Sequence, residues 1–293
     1  MRPFAIVGLV VLAAFLAGCG SNPVTTGPSR YVALGDSNTS GAGLPTPMTG
    51  APENCFRTES GYPSFAAEKL GQEEFESAAC SGAGMYAFGA EMPLYPDGVA
   101  PPQFDSLKGN ETIVSVTIGD NDAGFGEVTK NCLEAKSPSD TPCQDKYISG
   151  GKNKLTEAAA SLAKPLGEQL DSIHEKSPKA KVFVVGYGPI IPEDGAGCWG
   201  KVNVSPSDAP YFYGWQNAIT ETEKATAEQH GAVYVDFFNA GVGHDACQPA
   251  SKRWTNPVNG VGSAGWPLHP TIAGTKAAAA ALVNAWDRSK LGK

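Results

Sequence analysis

The chain predicts an α/β fold with a parallel sheet. Short apolar runs recur along its 293 residues, and helical segments lie between them. That alternation is the signature of βαβ units. Right-handed crossovers then place helices on both faces of the sheet. The runs also end abruptly in Gly, Asp or Ser, so polar residues gather at the carboxyl edge of the strands, where open α/β sheets bind ligands.

Five strands are expected, at Tyr31–Leu34, Glu76–Ala79, Ile113–Ile118, Lys181–Gly186 and Ala232–Asp236. Helices are expected at Tyr62–Leu70, Lys154–Lys176, Pro210–His230 and Thr271–Arg288. In the second helix Leu155, Ala158, Leu162, Leu166, Leu170 and Ile173 form an apolar stripe. Pro165 interrupts that stripe and should kink the helix. Four long loops remain, Ser40–Ser60, Phe125–Gly151, Tyr187–Ala209 and Gly241–Gly265. Long loops at this edge of a sheet commonly shape a site.

The first residues read as a targeting segment. Arg2 precedes the apolar stretch Phe4–Ala17, whose fourteen residues are short for a membrane span. Leu16-Ala17-Gly18-Cys19 resembles a bacterial lipobox, in which Cys19 would be lipidated and become the mature N-terminus. The expected organisation is a signal peptide at 1–18, a tether at 19–29 and one domain at 30–293. The protein would be extracytoplasmic, on a membrane anchor; plain secretion is the alternative. Six other cysteines remain, Cys55, Cys80, Cys132, Cys143, Cys198 and Cys247, an even number that suits disulfides in an exported protein. Five of the six lie in the long loops, and several pairings are open. No CxxC or HExxH spacing occurs, so neither a metal nor another cofactor is expected. A net charge of −8 without a basic stripe excludes a nucleic-acid partner. A monomer is expected.

The chemistry gathers in four places. Gly35-Asp36-Ser37 ends the first strand, and a serine there is a candidate nucleophile, although helix capping would also account for its hydroxyl. Cys80-Ser81-Gly82 offers a glycine whose N–H can approach an anion. Gly119-Asp120-Asn121-Asp122 offers a side-chain amide, and Trp266-Pro267-Leu268-His269 a base ahead of the last helix. No Gly-x-Ser-x-Gly elbow is present. His174 and His230 read as surface residues, and His244 as a loop residue beside Asp245.

Ser37, Gly82, Asn121 and His269, in that order, resemble the SGNH hydrolases, also called the GDSL esterase/lipase family, from about Arg30 to the last helix. The resemblance implies a flavodoxin-like sheet of order 2-1-3-4-5. It implies Ser37 as nucleophile, His269 as base, and an oxyanion hole made by the Ser37 and Gly82 N–H groups and the Asn121 amide. Secreted actinobacterial-type members carry three sequential bridges, which implies 55–80, 132–143 and 198–247. The family pattern Asp-x-x-His has Trp266 at its acidic position. Relatives with tryptophan there resemble Ser-His dyads, which implies that the Trp266 main-chain carbonyl orients His269; Asp122 or Asp245 as a displaced acid is the alternative.

The expected activity is hydrolysis of lipid or cell-envelope esters through an acyl-enzyme. Alternatives on the same fold are a carbohydrate acetylesterase, an acyltransferase or a non-catalytic binding lipoprotein. Tyr211, Phe212, Tyr213, Trp215 and Trp254 would line an apolar rim, unless they are core residues of a helix face.

Overall fold

The computed structural model describes residues 29–259 and 264–291. The expected signal peptide, Cys19 and the expected tether up to Pro28 lie outside the described residues. Five parallel strands form one sheet: β1 (Arg30–Gly35), β2 (Glu74–Ser77), β3 (Ile113–Thr117), β4 (Lys181–Val185) and β5 (Val233–Val235). Their spatial order is β2-β1-β3-β4-β5, as the family resemblance implies. β1 lies between β2 and β3 and pairs in register with β3 from Tyr31↔Ile113 to Gly35↔Thr117.

Alternate residues of each strand face opposite layers. Tyr31, Ala33, Ile113, Phe183 and Val235 pack against α2 (Tyr62–Leu70) and α8 (Ile272–Leu291). Val32, Leu34, Val114, Val116 and Val184 face α5 (Lys154–Ala160), α6 (Ala163–Lys176) and α7 (Ala209–Gln229). Burial on both faces explains why the strands read as continuous apolar runs rather than alternating ones.

β2 begins two residues earlier than expected. Glu74 and Glu76 face Arg30 at this edge strand and bond its guanidinium at 3.4 and 2.5 Å. The chain then stays extended, with Ala78 N–H and Cys80 N–H bonding Ala33 and Gly35. The helix expected at Lys154–Lys176 is two helices. Pro165 has no N–H for the carbonyl four residues earlier, and the chain turns at Ser161–Leu162 before α6 starts.

The segment expected as a loop at Phe125–Gly151 holds α3 (Phe125–Cys132) and α4 (Pro142–Tyr147). α4 starts at a proline, and its free N–H groups at Cys143 and Gln144 are capped from outside by the Asp208 carboxylate at 2.8 and 3.1 Å. That cap arrives from a residue more than sixty positions away, so no local pattern announces it. The cysteines are bridged 55–80, 132–143 and 198–247.

Candidate active site

Ser37 opens α1 (Ser37–Ser40), the single turn that follows β1. The cap of this turn is Asp36, whose carboxylate accepts the Asn38 N–H at 2.9 Å. Capping therefore does not occupy the Ser37 hydroxyl. Its Oγ lies 2.8 Å from His269 Nε2, across 232 residues of chain. His269 Nδ1 lies 2.8 Å from the carbonyl oxygen of Pro267. A carbonyl only accepts, so the proton is on Nδ1, and Nε2 is left with a lone pair toward the serine hydroxyl.

The orienting carbonyl belongs to Pro267 and not to Trp266. The Trp266 carbonyl instead accepts the main-chain N–H of His269 at 3.2 Å and closes the turn. Leu268, with φ at +62°, folds the chain back so that the imidazole meets the carbonyl two residues upstream. Strain of this kind persists only where surroundings hold it. Here Leu268 N–H bonds Asn256 O, and Asn256 N–H bonds His269 O, both at 2.9 Å. Neither alternative acid reaches the ring. Asp122 accepts the Met85 N–H, and Asp245 accepts the Cys247 N–H and the Gln248 amide.

His269 is 8% exposed. Trp266 and Phe125 present edge-to-face contacts to it, with centroids 5.8 and 5.9 Å away. Burial pushes the imidazole below its ordinary range, partly offset by the bond to Pro267. A neutral base near pH 7 follows. Two of the other three histidines are engaged elsewhere: His230 with Asp171, and His244 with Lys252 O while stacked on Trp254.

Gly82 has φ at +80°, which favours glycine, and an added Cβ would meet only Met92 at 3.6 Å. Among the described residues, neither its N–H nor that of Ser37 donates to an acceptor. The Asn121 amide gives one hydrogen to Ala83 O at 2.9 Å and keeps another free. The turns bearing these donors are stitched together. Ser40 Oγ meets Ser81 Oγ at 2.9 Å, Ser81 N–H bonds Cys55 O, and the 55–80 bridge and Arg57 hold residues 78–80.

The expected aromatic rim is not at this site. Phe212 and Trp215 are fully buried core, Tyr211 and Tyr213 pack on that core, and Trp254 lies between Phe237 and His244. α7 turns this cluster toward the sheet. The exposed aromatics beside the base are Phe56 and Trp266, 38% and 37% exposed and in edge contact at 4.7 Å. Phe56 also lines a cleft of about 440 Å³, together with Leu44, Met48 and Pro52, among others. Sequence reading passed over Phe56 because it stands in a long polar loop. It also missed Tyr187, Asp36 and Gln103, whose side-chain amide bonds both the N–H and the C=O of Gly35.

A serine and a neutral histidine at the carboxyl edge of a parallel sheet, with free donors around them, define a serine hydrolase of open α/β type. A model of the GDSL-like Lipase/Acylhydrolase family matches residues 33–277. Lipase 2 of Streptomyces coelicolor is 32% identical over 278 residues, covering 93% of this chain and 91% of that protein. An esterase of Streptomyces scabiei is 28% identical over 85% of this chain and 80% of its own. A crystal structure of phospholipase A1 from Streptomyces albidoflavus superposes with a TM-score of 0.70 at 26% identity, over 89% of this chain and 99% of that one. The chain belongs to the GDSL-like lipase/acylhydrolase family and is a carboxylic ester hydrolase. Its three disulfides are those of a protein that matures outside the reducing cytoplasm.

Proposed function

We propose that Ser37 and His269 act as a dyad that hydrolyses esters of apolar acyl chains through an acyl-enzyme. The 2.8 Å contact between Ser37 Oγ and His269 Nε2 carries this reading. In the first half-reaction His269 Nε2 takes the Ser37 proton as Oγ bonds to the carbonyl carbon. The resulting oxyanion is met by the N–H groups of Ser37 and Gly82 and by the free Asn121 amide hydrogen. The imidazolium returns the proton to the departing alcohol. Water then repeats the sequence on the acyl-serine and frees the acid. The Pro267 carbonyl holds the tautomer in place of a carboxylate.

The largely apolar cleft lined by Leu44, Met48 and Phe56, whose ring touches Trp266, favours an acyl lipid or acylated envelope component over a sugar acetate. The relatives named lipase and phospholipase A1 point the same way. Ser37→Ala should lower turnover of a nitrophenyl ester by at least roughly 10⁴-fold with the fold retained. Fluorophosphonate labelling of a different serine would end this reading. Leu16-Ala17-Gly18-Cys19 supports a lipid anchor at Cys19 on a tether reaching Ser29. Cys19→Ser should release the protein from membranes; a wild-type mature N-terminus beyond Cys19 would exclude the anchor.

A further inference from the structure

We propose that Tyr187 is a positioning residue whose hydroxyl sets the spacing between two of the three turns that carry the oxyanion donors, those of Ser37 and Asn121. The inference rests on the Ser37–His269 reading above. Tyr187 follows β4 and is buried. Its Oη donates to Asp36 Oδ2 at 2.5 Å and accepts the N–H of Asp120 at 3.1 Å. Asp36 immediately precedes Ser37, and Asp120 immediately precedes Asn121. One hydroxyl thus holds both turns, each a single residue from an oxyanion donor. The other Asp36 oxygen accepts the Asn38 N–H, so the same carboxylate also shapes the turn that presents the Ser37 N–H.

Packing requirements do not account for this arrangement. Asp36 is fully buried, and buried carboxylates are costly where apolar residues of like size would fill the space. Two further buried acids stand close by. Glu223 on α7 lies under the oxyanion turn: a Cβ on Gly119 would come within 3.4 Å of its Oε1. Neither Glu223 oxygen has a hydrogen-bond partner within 3.5 Å among the described residues, although the Tyr234 hydroxyl acts on it. Burial and the neighbouring acids push both Glu223 and Asp120 well above their ordinary values.

Asp36 differs from them because it is bonded as an anion. Burial raises it, the Tyr187 and Asn38 bonds hold it down, and it lies at about 7. The groups facing it are Tyr187, Asp120 and Asp122 after β3, Glu223 on α7, and Tyr62 on α2. Above pH 7 the carboxylate accepts the hydrogen bond that the Tyr187 hydroxyl donates. Below it, a protonated Asp36 must donate instead, and the bond between the turns reverses.

The test is Tyr187→Phe in the full-length protein, assayed on nitrophenyl acetate from pH 5 to 9 with active sites counted by fluorophosphonate. The ring is kept and the hydroxyl removed. The expected result is a kcat loss of roughly 10- to 100-fold, the scale of a small misplacement at the reacting atoms, with KM within about twofold. The acid limb should rise from about 7, because Asp36 loses a bond that favours its charged form. The limb due to His269 lies lower and should not move. A variant with wild-type kcat and acid limb, or one that changes only KM, overturns the proposal. If Tyr187→Phe does not fold, Asp36→Asn decides. It removes the ionising group, so the limb near 7 should vanish and leave that of His269; its persistence overturns the proposal. Ester turnover by the wild type without labelling of Ser37 would instead overturn the dyad itself, and the proposal with it.

Discussion

Gly43→Ala should disable the base without touching it. Gly43 lies six residues after the nucleophile and has φ at +74°. Its carbonyl accepts the Gly265 N–H at 2.9 Å, and the Ala42 carbonyl accepts the Trp266 N–H at 3.2 Å, so the two segments are laced together. A Cβ at position 43 would stand 2.3 Å from Trp266 Cδ1 and 2.8 Å from Trp266 N. The indole can swing aside, but the main-chain nitrogen cannot. Ordinary contact begins near 3.5 Å, so the turn that ends at His269 must retreat by roughly 0.7 Å. A displacement of about 1 Å near the reacting atoms costs on the order of 10²-fold. We therefore expect kcat/KM on nitrophenyl acetate to fall roughly 10- to 100-fold. The left-handed backbone adds a stability cost of about 1–2 kcal/mol, read from thermal melting. Gly50→Ala and Gly71→Ala are the controls. Both positions have positive φ, +78° and +61°, and nothing lies within 4 Å of an added Cβ. They should show the stability loss and keep wild-type kcat/KM. If Gly43→Ala behaves as the controls do, the claim that residues 42–43 hold the base turn in place is wrong.

The Cys198–Cys247 bridge spans 49 residues, and removing both thiols should cost about 4 kcal/mol if loop entropy dominates. The Cys132–Cys143 bridge spans 11 and should cost nearer 3 kcal/mol by urea denaturation; the reverse ranking would contradict the entropic account. Asp122→Asn and Asp245→Asn should each lower kcat less than tenfold, because their oxygens serve Met85, Cys247 and Gln248. A loss near the ~10⁴-fold that follows amidation of a triad aspartate would restore a carboxylate partner for His269.

Local pattern was enough to place five strands and the helical segments between them, though not the start of β2 or the break between α5 and α6. A strand buried on both faces is an apolar run, and the polar residue that ends it must stand at the sheet edge. Tertiary structure decided what depends on the direction of single atoms. The sequence pointed to a main-chain carbonyl at Trp266. The left-handed Leu268 and the hold of Asn256 gave that role to Pro267. Composition marked Tyr211–Trp215 as a possible rim, but the rotation of α7 sent Phe212 and Trp215 inward and left Phe56 and Trp266 beside the base. Tyr187 carries no motif. Its role exists only because β1, β3 and β4 are neighbours in the sheet, which brings Asp36, 151 residues away in sequence, and Asp120 to one hydroxyl. Periodicity records which face of an element is buried, whereas hydrogen bonds between distant turns are set by the packing of whole elements.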